Sequence, residues 1–254
     1  MTSILLIARR DLRNYFTSPI AYIVIAVFLL LMGWMFFNLL SFFQQQTNQF
    51  AALSFGTKPT LSDSVVRPLY GNMNVILLFV APFITMRLLA EERKDHTVEL
   101  LLTAPVTTFQ IIAGKFLSAL MLILVMLGLS LVYPLILLVA GNPDPGVLAG
   151  CYAGLFFVAA TYVAVGLFWS SRTENQIVAA VLTFGTLLFF WLISWAAHQA
   201  GPIWKETLEH LSIIGHYANF SQGVLDTSDV IYYLSFIGFG LFLTQVSLDA
   251  ENWS

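Results

Sequence analysis

The sequence predicts an all-α integral membrane protein: one transmembrane domain over residues 1–254, with six membrane-crossing helices, an interfacial helix ahead of the first and a charged cytoplasmic segment between the second and third. Two observations carry that prediction. Of the 254 residues, 58% are hydrophobic and only 10% charged, with a mean hydropathy of +0.82. A soluble domain carries about a quarter charged residues, so this chain lacks the polar side chains to cover a surface facing water. Second, six windows reach the roughly 20 largely apolar residues that a helix needs to cross the hydrocarbon core. The net charge of −3 gives no basic surface for nucleic acid. The single cysteine, Cys151, can form neither an intrachain disulfide nor a metal cage, and it reads as a small buried apolar residue.

Residues 1–18 form the first element. On a helical wheel Ile4, Leu5, Ala8, Leu12, Tyr15 and Phe16 share one face, and Arg9, Arg10 and Arg13 lie on the other. That layout fits a helix lying in the membrane interface, apolar side in the acyl boundary and cations at the head groups. Asp11 near the edge of the apolar sector and Leu6 and Ile7 outside it do not fit the pattern. A plainer reading stays open, in which the three arginines only anchor the chain by the positive-inside rule. No small-residue cleavage site follows the basic cluster, so the apolar run after it is expected to be retained. Ser18 and Pro19 suit an N-cap and a first helical position, making an elbow between a helix on the membrane and one across it.

The spans are expected at 19–40, 72–89, 116–140, 147–169, 176–197 and 230–248, with Pro82 inside the second. Proline is tolerated in a membrane helix where neighbours satisfy the freed carbonyl. The cluster Asn142-Pro143-Asp144-Pro145-Gly146 turns the chain between the third and fourth spans, and residues 170–175 turn it between the fourth and fifth. Residues 41–71 and 198–229 are the longer connections, and 202–211 could form a short amphipathic helix. Six spans place both termini on one side, together with Arg9, Arg10, Arg13, Arg87, Arg93, Lys94, Lys115 and Arg172. The other side holds only Lys58, Arg67 and Lys205. This asymmetry predicts cytoplasmic termini.

Residues 90–115 hold the densest charge. Glu91, Glu92, Arg93, Lys94, Asp95, His96 and Glu99 crowd together, and the like-charged pairs Glu91/Asp95 and Asp95/Glu99 lie one helical turn apart. Leu100, Leu101 and Leu102 follow as an apolar patch that something must cover. Pro105 stops that helix, and Thr107 with Gln110 matches a capping box for the next. Two readings compete: a solvated loop with tucked leucines, or a docking element for a cytoplasmic partner. The length favours docking, since a plain connection needs only a few residues.

The run EERKDHTVELLLTAPVTTFQIIAGKFLSAL resembles the signature region of the ABC-2 type permeases, carried by Glu91, Glu92, Arg93, Thr97, Glu99, Leu100, Leu101, Leu102, Thr103, Pro105, Val106, Gly114 and Lys115. The opening ARRDLRNYFTSPIAYIVIAVFLLLMG is similar to the gliding-motility-type branch of that family. The resemblance covers roughly the first half of the chain by motif and the rest by span count. It implies a bacterial inner-membrane permease that pairs with a second permease chain, homodimeric or related. It also implies a docked cytoplasmic ABC ATPase that holds the ATP and Mg, and an auxiliary periplasmic subunit in some members. Docking in the family uses a coupling helix that maps onto 91–103, which assigns the contact to Glu91, Glu92, Arg93, Thr97, Glu99, Leu100, Leu101, Thr103 and Pro105. The implied work is export or mechanical work across the membrane. The alternative is an anchor or scaffold of an envelope machine that transports no solute.

The residues point the same way. No phosphate-binding G-x-x-x-x-G-K-[ST] loop is present, since Gly114-Lys115 is followed by Phe116, and the chain is not expected to be an enzyme. The spans carry no ionisable residue in their cores, where ion-coupled carriers hold their relay groups. No cofactor is expected in this chain, and His210 with His216 alone makes no metal cage. Gly150 and Gly154 form a small-xxx-small pair for close helix packing. Asn38, Asn74, Thr161, Thr183 and Ser194 either line a path or hydrogen-bond between helices.

Overall fold

The computed structural model describes residues 2–53, 59–95, 106–199 and 201–251, and these are almost wholly helical. Helix α1 spans Thr2–Thr17 and α2 spans Pro19–Leu53, with a bend at Ser18 whose Oγ accepts from the Ile20 N–H. At 35 residues α2 is about 52 Å long and overruns the expected 19–40 span. The polar run after residue 40 contains neither proline nor glycine up to Leu53. Ser41 and Thr47 donate to carbonyls one turn back (2.9 Å each), so the helix continues past the hydrocarbon instead of ending at it.

The chain returns through a π-helical turn, Ser62–Val66, into α3, Arg67–Thr85. This helix starts ahead of the expected residue 72. Thr60 and Asp63 hold the turn before it reciprocally, Thr60 Oγ1 donating to Asp63 Oδ2 (2.7 Å) and accepting from the Asp63 N–H (3.1 Å). After Pro82 the helix loosens into turns over residues 86–89, then α4 covers Ala90–Lys94. The freed backbone is met by a neighbour: Ser170 Oγ accepts from the N–H groups of Leu89 (2.9 Å) and Ala90 (3.0 Å) and donates to the Met86 carbonyl (3.1 Å). Ser170→Ala would leave two buried donors unpaired. It is expected to cost about 1–3 kcal/mol, read as a lower unfolding temperature of the detergent-solubilised protein.

The capping box at Thr107 and Gln110 starts α5, Thr108–Ser130. The expected 116–140 span is in fact two helices, since α6, Val132–Ala140, follows a turn at Leu131. Pro134 has no N–H to give the Ser130 carbonyl, so the helix resets there. Asp144 caps α7, Pro145–Arg172, by accepting from the Gly146 N–H (2.8 Å). Asn175 caps α8, Gln176–Gln199. The amphipathic α9, Pro202–Leu211, is followed by a helix the sequence did not suggest, α10, Ile213–Ser221, capped by Ser212. A turn through Gly223 at φ +80 leads to α11, Thr227–Glu251.

Among the described residues, six helical stretches are long and apolar enough to span: Pro19–Ala52, Ser62–Lys94, Thr108–Val139, Pro145–Arg172, Gln176–Ala197 and Thr227–Ala250. The second and fourth are 67% and 72% buried against 22% for the first, fifth and sixth, so α3 and α7 form the axis of the bundle. Their approach depends on small residues. A Cβ at Gly166 would land on Thr85 Oγ1, so the glycine leaves room for the Thr85 side chain of α3 against α7. Midway, Tyr162 donates to Asn74 Oδ1 (2.8 Å), both buried. Asn38, Thr161 and Thr183 bond carbonyls of their own helices. Of these polar span residues only Asn74 is hydrogen-bonded between helices among the described residues.

Two ends of the bundle are distinct. At one, Ser62 Oγ accepts from the Asp144 N–H (3.0 Å) and Arg67 Nε donates to the Ser221 carbonyl (3.1 Å), gathering the π turn, the 142–146 loop and the end of α10. At the other lie α1, residues 86–94, the start of α5 and the end of α7.

Candidate functional site

The α1 end is built around a close crossing of α1 and α5. Gly114 lacks the Cβ that would meet the Ile7 side chain at 2.8 Å and the Ile4 carbonyl oxygen at 3.1 Å. The crossing brings Asp11 of α1 over Lys115 of α5, and the two are 9% and 2% exposed. Lys115 Nζ lies 2.8 Å from Glu92 Oε1, 3.4 Å from Asp11 Oδ2, and donates to the Leu88 carbonyl. Those three acceptors match the three N–H groups of an ammonium. Arg10 completes the cluster, its Nε 2.9 Å from Asp11 Oδ1 and its Nη2 3.2 Å from Glu92 Oε1. Two cations therefore face two carboxylates, which a buried position requires. Burial weighs against the charge on Arg10, but Asp11 and Glu92 outweigh it and raise its pKa above the ordinary value. Burial likewise pushes the Tyr15 phenol up, and its hydroxyl donates to the Ile84 carbonyl (2.9 Å).

These contacts seat one face of α1 on the bundle. Ala8 and Asp11 are buried against protein, while Leu5 and Leu6 are 60% and 65% exposed. Asp11 is thus the centre of the buried face, not a flaw in an apolar one, because Lys115 neutralises it. Arg9, Arg10 and Arg13 are all exposed on α1, and the Arg10 guanidinium pairs with Asp11 and Glu92 from that half-exposed position. Of the expected docking residues, Glu91 is exposed at the start of α4, Glu92 points one oxygen into the cluster, and Arg93 is half-buried. Thr97, Glu99, Leu100, Leu101, Thr103 and Pro105 lie outside the described residues. The longer helices of the structure hold buried charge at their ends, Lys115 in Thr108–Val139 and Asp229 in Thr227–Ala250.

At the opposite end Gly150 and Gly154 seat α10 against α7. A Cβ at Gly150 would collide with the Phe220 carbonyl and lie 2.9 Å from Gly223 Cα; one at Gly154 would lie 2.7 Å from Phe220 Cβ. Asp229 joins this corner, 2.6 Å from His216 Nδ1 and accepting from Asn219 Nδ2 (2.9 Å). His216 Nε2 is engaged by the His210 carbonyl (3.1 Å), and Tyr232 stacks on the ring at 3.9 Å. Both ring nitrogens are occupied, and among the described residues no group of three or more His, Cys, Asp or Glu is placed to hold a metal. The sequence singled out Gly150, Gly154, His210 and His216 separately but not Asp229, an aspartate opening an apolar span that brings His216 and Asn219 together.

Comparison with known proteins points to a transporter family. The family model described as "ABC-2 family transporter protein" matches residues 5–247. Two curated relatives, each named "Probable multidrug ABC transporter permease YbhR", from Escherichia coli strain K12 and Escherichia coli O157:H7, are 26% identical over 181 residues. The match covers 66% of this chain and 49% of each relative, so the chain spans about half the length of the curated relatives it matches.

Proposed function

Since this chain belongs to the ABC-2 family of transporter proteins, we propose that it is the membrane-spanning permease subunit of an ATP-binding cassette complex in a bacterial inner membrane. ATP and Mg bind a separate ATPase subunit, a second permease chain completes the membrane part, and both termini face the cytoplasm. The gliding-motility-type opening extends the reading to a periplasmic auxiliary subunit and to mechanical work or export. The observation that supports a coupling role is the Lys115 cluster. Glu92, near the start of the 91–103 segment, is tied through Lys115 and Arg10 to both α5 and α1. A push on that segment by a closing ATPase reaches two helices of the bundle through charge-assisted contacts.

The leucines of this segment supply the apolar contact. Leu100→Arg is expected to abolish co-purification of the ATPase while leaving the yield of the folded permease unchanged, because a cation in a desolvated interface core costs several kcal/mol. Undiminished co-purification would place the docking surface elsewhere.

A further inference from the structure

A cavity of about 680 Å³ opens under the α1–α2 elbow, within the size range of small-molecule sites. Asp11, Glu92 and Lys115 line it and are already paired with one another. Arg87 also lines it, and its Nε is buried with no hydrogen-bond partner among the described residues. A buried guanidinium nitrogen without an acceptor is costly, and the fork of an arginine fits two oxygens of one phosphate. Asn14 and Ser18 add neutral polar groups at the elbow. Arg10, paired with Asp11 and Glu92, the Tyr15 phenol and the exposed Glu91 line the cavity as well, and its apolar wall comes from Ile20 and Val24 of α2 and Phe83 of α3. Ile20 and Phe83 are 40% and 59% exposed on helices that cross the hydrocarbon. The cavity thus joins a phosphate-matched cation to a wall that continues into the acyl region.

We propose that this cavity binds one phospholipid of the leaflet at the α1 end, its phosphate on Arg87 and its acyl chains along Ile20, Val24 and Phe83. The lipid lies between the helix on the membrane and the helices across it, and supplies the acceptor that Arg87 lacks. A free phosphate would satisfy the same cation but leave the apolar wall uncovered.

Native mass spectrometry of the full chain, delipidated in detergent and resupplied with phosphatidylethanolamine, phosphatidylglycerol, diacylglycerol of the same chains or inorganic phosphate, tests this. One phospholipid is expected to be retained per chain, diacylglycerol is not, and millimolar inorganic phosphate does not displace it. Arg87→Gln is expected to weaken retention about tenfold. Asn14→Asp, a near-isosteric change at an exposed position, places an anion beside the phosphate and weakens it similarly if Arg87→Gln does not fold. Arg172→Gln, an exposed cation at the same end outside the cavity, leaves retention unchanged. Equal retention of diacylglycerol, displacement by inorganic phosphate, or an equal loss in Arg172→Gln would overturn the proposal.

Discussion

Replacing Lys115 with methionine is expected to lower stability by about 3–5 kcal/mol, the usual loss when one member of a buried ion pair is removed and the other stays charged. Methionine nearly fills the same space, so the loss is electrostatic and not a cavity. Asp11 is left 9% exposed with only Arg10 for compensation, and Glu92 loses its 2.8 Å partner. The cluster also predicts its own rescue. Adding Asp11→Asn and Glu92→Gln to Lys115→Met removes the stranded charges, and most of the thermal stability in detergent should return, as replacement of a whole buried ionic group often costs little. If the proposed ATPase subunit couples through this cluster, the rescued protein is expected still to bind it but to lose stimulated hydrolysis, because neutral contacts hold α1 and α5 to α4 more weakly. A single-variant loss under about 1 kcal/mol, the range of exposed pairs, would show that the cluster is solvated.

The second large effect is expected from Gly154→Leu. A Cβ alone at this position lies 2.7 Å from Phe220 Cβ and 2.9 Å from the Tyr217 ring, so a full isobutyl group cannot enter without driving α10 off α7. Overpacking a close interface costs about 1–3 kcal/mol, and more where backbone must move. Displacing α10 would also part His216 from Asp229, held at 2.6 Å. Gly185→Leu in α8 is the matched control, since a Cβ there meets nothing within 4 Å, and it should change stability by no more than about 0.5 kcal/mol. Equal behaviour of the two variants in thermal unfolding would mean that helix propensity, not packing, governs both.

Hydropathy made the six spans legible, because the apolar run each requires is a one-dimensional feature. Their limits were less so: α2 continues through a glutamine-rich run that hydropathy discards, and Pro134 splits the third span at a position that composition alone leaves apolar. The capping box at Thr107 was readable because both partners are local in sequence. The Lys115 cluster was not, since Asp11 and Lys115 are far apart in the chain and each alone looks like an ordinary charge at a membrane boundary. Gly114 beside Lys115, and an aspartate on the apolar side of α1, were the available signals. Helix α10 was hidden because its sequence, Ile213–Ser221, has a glycine and few strong helix formers. Its helicity comes from the Ser212 cap and from the groove that Gly150 and Gly154 open in α7.

The most direct test of ATPase docking uses Leu101→Cys as the reactive thiol, since the native Cys151 is buried. Its labelling by a membrane-impermeant maleimide is measured with the proposed ATPase subunit bound and after that subunit is stripped. Protection in the complex and full labelling after stripping is the predicted result. Equal labelling in both states would contradict it.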